Sequence, residues 1–375
     1  MTSQAQEIIG ALPKKDWPER QRAIGQLLAC PEHDFIGELE KGIRNHDDAD
    51  VRNAAMEVYK ALGSRGFASL SALLKDGDHE VRLFAVNVLC GIADPVSLPL
   101  LSAAMQDGDV NVRVAAAEAL GRIRDVRSVP ILGKAVHDEP WVAMAAVNAL
   151  AEIGGGDALG MLCSCLGIES CRELAISALG NAGDLDSIEY LAACLDYEGL
   201  CELALKATVR IAERHGTRPQ PEYFMHYMPK LMEMVKSPDP ESKKAAIRAI
   251  CWSRNIAAQQ WLIDAMADKD LQEYAMEGLQ QLGKRAAPGV IDAIRNSSGP
   301  HRRLLVKALD MLGEQPALLQ FAGDADPKVR AEVALALGVV RIPRAVQVLR
   351  SLMDDPEEEV RSAARKSLSS IGESC

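Results

Sequence analysis

Apolar and polar positions along this chain follow one rhythm that restarts about every thirty residues. Residues 107–125, DGDVNVRVAAAEALGRIRD, show it best: an acidic turn, a Val-Arg pair, small apolar residues, a Leu-Gly step and a charged stop. Degraded copies run from end to end. Indexed on the residue at the Arg113 position, they fall at Arg22, Arg52, Arg82, Arg113, Ala143, Arg172, Cys201, Lys243, Gln272, Arg302, Arg330 and Arg361. The spacings are 30, 30, 31, 30, 29, 29, 42, 29, 30, 28 and 31 residues. Seven positions after the anchor a large aliphatic returns, as in Leu89, Leu120, Leu150, Leu179, Ile250, Leu279, Leu309, Leu337 and Leu368. Self-similarity at a fixed period marks a stacked array in which each module packs only on its neighbours.

Each module divides into two helices. Before the reference phrase, residues 96–106 form a first helix opened by Asp94-Pro95, and residues 110–123 form the second. The turn Asp107-Gly108-Asp109 separates them and offers a carboxylate cap to the second helix. The same grammar recurs in KDGDHEVR at 75–82, GDADPKVR at 323–330 and DDPEEEVR at 354–361. Pro327 and Pro356 suit a first helical turn, where proline removes no helix hydrogen bond. At 100° per residue, positions −1, +3, +6, +7 and +10 from the anchor share the inward face, and +1, +5 and +12 lie opposite. Position +5 is polar or charged in most modules, so a +1/+5 stripe should line an exposed surface.

These modules resemble HEAT repeats in the short form found in phycobilisome lyases and many bacterial proteins. The resemblance rests on D-x-(D)-x-x-VR-x-x-A-x-x-ALG at 78–89, 107–121, 324–338 and 354–368 and covers the whole chain. It implies an all-α fold, an α-solenoid of about twelve HEAT-like helix pairs, with the second helices lining a concave groove. One solenoid spans 1–375, with sub-arrays 1–212 and 230–375. The long 42-residue spacing places an irregular insertion at 213–229, whose prolines and Gly216 break any continuous helix through 216–221. Insertions in repeat arrays map to loops and often carry function.

Composition sharpens this picture. Nearly half the residues are apolar but only 4% are aromatic, so Ala, Leu, Ile and Val build the core. No apolar stretch approaches the ~20 residues of a membrane span. The opening MTSQAQEIIGALPKKDW has no basic region followed by an apolar run, so no secretory signal is expected. Nine cysteines without paired spacing suit a reducing cytoplasm. The net charge is −11, and residues 135–200 hold eleven acids against Arg172 alone. Such a surface repels nucleic acid and anionic lipid and favours a basic partner.

Candidate chemistry is sparse. Cys163 and Cys165 point apart on one helix, Cys165 and Cys194 sit on neighbouring helices too far apart for a disulfide, and Cys30, Cys90 and Cys251 occupy position +8 of distant modules. Small-residue packing accounts for all of them, and neither metal nor cofactor is expected. HEAT-type di-iron hydroxylases carry several repeat-spaced His-Glu pairs, whereas only His79-Glu80 matches here and His137 is followed by Asp138. HEAT-like DNA glycosylases have a basic aromatic groove, from which this acidic chain departs. No phosphate loop, GxSxG or HExxH is present, and Gly154-Gly155-Gly156 reads as a helix stop and turn. The repeated Asp and Arg are expected to form a structural ladder, the Asp capping a helix and the Arg reaching the adjacent turn.

Two groups point to a contact surface. In three consecutive modules position +1 turns apolar above a polar +5: Leu83 with Asn87, Val114 with Glu118, Met144 with Asn148. Eight of the fifteen aromatics lie between 190 and 274, among them Tyr223, Phe224, Tyr227, Trp252, Trp261 and Tyr274. The expected function is a non-enzymatic, cytoplasmic scaffold or adaptor that binds another protein in its groove, without nucleic acid or membrane. The resemblance also implies an alternative, a bilin lyase or isomerase subunit acting on a tetrapyrrole. A regulatory partner in bacterial signalling or secretion is a third reading.

Overall fold

The computed structural model describes residues 2–339 and 342–372. Among them there is no strand, and every module is a pair of helices. The twelve second helices are α1 Trp17–Leu28, α2 Ala49–Leu62, α3 His79–Ile92, α4 Val110–Ile123, α5 Pro140–Ile153 and α6 Glu169–Ala182, then α7 Cys201–Arg214, α8 Pro240–Ser253, α9 Gln272–Leu282, α10 Gly299–Met311, α11 Pro327–Leu337 and α12 Glu358–Ser370. Each contains its sequence anchor, so the α-solenoid is as the periodicity predicted. Two helices, α7 and α9, begin at the anchor itself, three residues later than their neighbours, although the buried register after the anchor is kept.

First helices are short. The one predicted at 96–106 is a 3₁₀ turn, Pro95–Ser97, followed by Leu98–Ala104. Asp94 accepts from the Val96 amide while Ser97 donates to the Asp94 carbonyl, which closes the turn locally. The second helix is capped as expected: the Asp109 carboxylate accepts from the amides of Asn111 and Val112. Pro327 opens α11, but Pro356 lies outside α12, whose cap is Glu357. The predicted stop at Gly154 holds with φ +62°, and the next helix starts at once at Gly155.

The chain divides into two compact units, one ending at Cys194 and the other beginning at Leu195. The insertion 213–229 is therefore internal to the second unit rather than a spacer between sub-arrays. The cause is packing: Phe224, on the short helix Glu222–Met225, is fully buried, with its ring 6.0 Å from that of Trp252 on α8. Within the first unit four of the five inward positions of α4, Val112, Ala116, Ala119 and Leu120, are sealed from solvent, and the fifth, Ile123, is half-buried. Gly121 follows because nothing larger fits: a Cβ there would meet Ala149 of α5 at 2.7 Å from its Cα.

A ladder of Arg–Asp pairs ties the turns together. Arg82 donates to Asp107 through Nε and one Nη at 2.7 and 2.8 Å, and its other Nη reaches the Asp76 carbonyl of its own turn at 3.0 Å. Arg113 repeats this with Asp138 and the Asp107 carbonyl, and Arg330 with Asp355 and the Asp324 carbonyl. Lys243 and Arg302 also reach the aspartate of the next turn, Asp268 and Asp324, through single contacts. The guanidiniums of Arg82, Arg113 and Arg330 each span their own turn and the next, the geometry in which a planar fork is strongest.

Candidate functional site

The ladder accounts for the most conspicuous charged residues. The Arg82 guanidinium holds the Asp107 carboxyl below its ordinary range, Arg44 does the same to Asp76, and Arg330 to Asp355. Carboxylates held ionised by a bidentate partner have no proton to give and no free base to offer. Glu80, the acid of the His79-Glu80 pair, is engaged by His46 at 2.9 Å. Among the described residues no three His, Cys, Asp or Glu side chains are grouped so as to hold a metal ion.

The thiols are also quiet. Burial pushes Cys165 and Cys194 up to about 11 and Cys251 up to about 12. Thiolates, the reactive form, are therefore scarce near neutral pH. Cys251 packs into its position beside Gly278, donating to the Tyr274 carbonyl at 3.2 Å.

The exposed stripe is real in the first unit. Asn87, Glu118 and Asn148 are exposed on α3, α4 and α5, with Leu83 and Val114 half-buried above the first two and Met144 39% exposed above the third. Sequence reasoning missed one member. Trp141 is 66% exposed, three residues before Met144 on α5, so that Trp141, Met144 and Asn148 share one face at i, i+3 and i+7. The same periodicity would have found it, had the stripe been extended back to position −2. Glu118 on α4 and Glu173 on α6 lie on the exposed faces to either side.

The six named aromatics, all in the second unit, fare differently. Phe224 is fully buried and Trp252 is 3% exposed, so both are core residues and are withdrawn from the contact surface. The reason is mutual: the insertion supplies Phe224 and α8 supplies the ring it covers. Trp261 is half-buried on the first helix Gln259–Ala265, in the layer that does not carry the stripe. Tyr223 and Tyr227 are half-buried within the insertion, and the Tyr227 hydroxyl donates to Asp196 at 2.9 Å. Tyr274 lies under the Arg248 guanidinium, 4.6 Å from ring centre to carbon, while Arg218 of the insertion pairs with Glu277 of α9 at 3.0 Å. These aromatics brace an irregular module and do not form a continuous binding face.

The second unit also holds an open trough of about 640 Å³ lined by second helices alone, chiefly α10, α11 and α12. Its wall residues include Arg303, Lys307 and Lys366 at positions +1, +5 and +5. The second helices thus line a groove here, as the stripe predicted. None of the described helices is long and apolar enough to cross a membrane.

HEAT-repeat profiles match residues 67–142 and 315–374, and the PBS lyase HEAT-like repeat profile matches 172–197. A comparison with curated protein sequences finds no match. Among solved structures, an engineered protein is 21% identical, with 91% of this chain and 99% of that chain covered at a TM-score of 0.47. Human deoxyhypusine hydroxylase is 19% identical over 84% and 97%, TM-score 0.30. The CpcE–CpcF complex of phycocyanin lyase from Nostoc is 18% identical over 65% and 93%, TM-score 0.33. Overlays this loose bear on no activity of this chain. The matched repeats and the stacked helix pairs agree: the chain carries HEAT repeats, one of them of the short phycobilisome-lyase type.

Proposed function

We propose that the protein is a non-enzymatic scaffold that holds a basic segment of another protein on the exposed face of α3–α6. The observation that carries this reading is Trp141, a large ring left 66% exposed beside Met144 on the acidic part of the chain. Trp and Met are over-represented where proteins meet, and a few such anchors dominate binding energy. Asp138 and Glu139 accept from Arg113, but the other carboxylates of this region are uncommitted. Among the described residues no ion pair engages Glu118, Glu152, Asp157, Glu169, Glu173, Asp186 or Glu189. A negative rim of this kind speeds association with a basic partner and rejects acidic ones.

The absence of chemistry in this reading is supported by the paired ladder carboxylates and the buried thiols. Affinity capture from cell extract compares the intact protein with a variant carrying Glu118→Lys, Met144→Asp and Asn148→Lys. Loss of specific partners with unchanged unfolding is the expected result, and equal capture by both proteins contradicts the assignment.

A further inference from the structure

We propose a second binding surface of opposite charge, the trough on α10–α12, which takes an extended acidic segment of a partner with an aliphatic residue at its centre. This surface is independent of the face around Trp141, since it lies in the other compact unit.

The argument starts from position +5. Across neighbouring helices α10, α11 and α12 it reads Lys307, Leu335 and Lys366, an aliphatic between two cations. Leu335 is 42% exposed, so its isobutyl group faces the open trough rather than the core. Arg303 and Lys328 add two more cations to the wall, against the carboxylates of Glu332 and Glu359. One pair of these charges is neutralised by contact, Lys307 with Glu332 at 3.1 Å. Among the described residues no ion pair engages Arg303, Lys328 or Lys366.

The spacing selects the ligand. Packed helices lie ~8–10 Å apart, so Lys307 and Lys366 are separated by roughly 16–20 Å across the trough. An extended chain advances about 3.3 Å per residue, so two acidic residues about six positions apart would reach both lysines. Alternate side chains of such a chain share a face, so an aliphatic two or four positions after the first acid would meet Leu335. Nucleic acid fits less well, because four cations beside two carboxylates and an exposed leucine make a poor phosphate track.

The test is selection of a random peptide library, about twelve residues long, on the full-length protein, followed by anisotropy titration of the enriched peptides. Enriched sequences should carry two acidic residues flanking an aliphatic. Lys307→Glu with Lys366→Glu should weaken them about tenfold, as should Leu335→Asp, and Trp141→Asp should leave them unchanged. Because Leu335, Lys307 and Lys366 are exposed, thermal unfolding should be the same in all variants. No enrichment, enrichment of basic peptides, or binding that survives Leu335→Asp overturns the proposal. So does a single-stranded oligonucleotide that binds the trough as tightly as the best peptide.

Discussion

Modules 3 and 4 and modules 5 and 6 belong to the same unit, and α3, α4, α5 and α6 are all 14 residues long. Their turns are wired differently. In the first pair Arg82 and Arg113 each bind the aspartate of the following turn. In module 5 the anchor is Ala143, which cannot reach, and the facing turn Leu166-Gly167-Ile168 offers no carboxylate. The helices pack regardless: α5 lies against α6, with inward residues of both buried. The ladder is therefore an addition to apolar packing and not its cause. Where it is missing, Glu169 and Glu173 of α6 are left facing solvent.

If packing sets the stacking, the largest effect should come from the shared border. Gly121→Val should cost about 3 kcal/mol in urea unfolding, because the added carbons overlap the Ala149 backbone. A cost near zero would mean that the α4–α5 contact is slack. Breaking a rung should cost less: Arg82→Ala removes two charge-assisted bonds and strips Asp107 of its partner, about 2 kcal/mol. Glu173→Gln on the exposed face of α6 should lie within about 0.5 kcal/mol of the parent.

Acid should separate the regions further. Asp76, Asp107 and Asp355 have depressed folded values, so the native state binds fewer protons than the unfolded chain below their ordinary value of 3.8. Their contribution is complete above that value and is lost as pH falls from there through each depressed value. The stability gap between parent and Arg82→Ala, followed from pH 6 downward, should narrow in that window. A gap that widens on acidification would contradict the ladder. The smallest effect concerns helix ends: Arg124 closes α4 at φ +56°, where α5 uses Gly154 at +62°. Arg124→Gly should stabilise by about 0.5 kcal/mol, relieving left-handed strain at the cost of a freer unfolded chain.

The repeat, its two helices and the exposed stripe were legible because helical periodicity is local and twelve copies reinforce one another. The ladder was legible too, since Arg and Asp recur at fixed offsets. Phe224 and Trp252 were not: their burial depends on an insertion folding back onto α8, a long-range contact that no periodic signal encodes. The late starts of α7 and α9 reflect turn geometry around Gly199 and Asp268, which the anchors do not register. The trough at Leu335 was hidden for another reason. Which of many cations remain unpaired depends on side-chain reach between neighbouring modules.

The most direct test compares two variants in one capture experiment: Trp141→Asp with Met144→Asp, and Arg82→Ala. The account predicts that the first loses its bound partners with an unchanged urea midpoint, while the second unfolds earlier and binds as before. Binding lost with the rung and retained without Trp141 would contradict it.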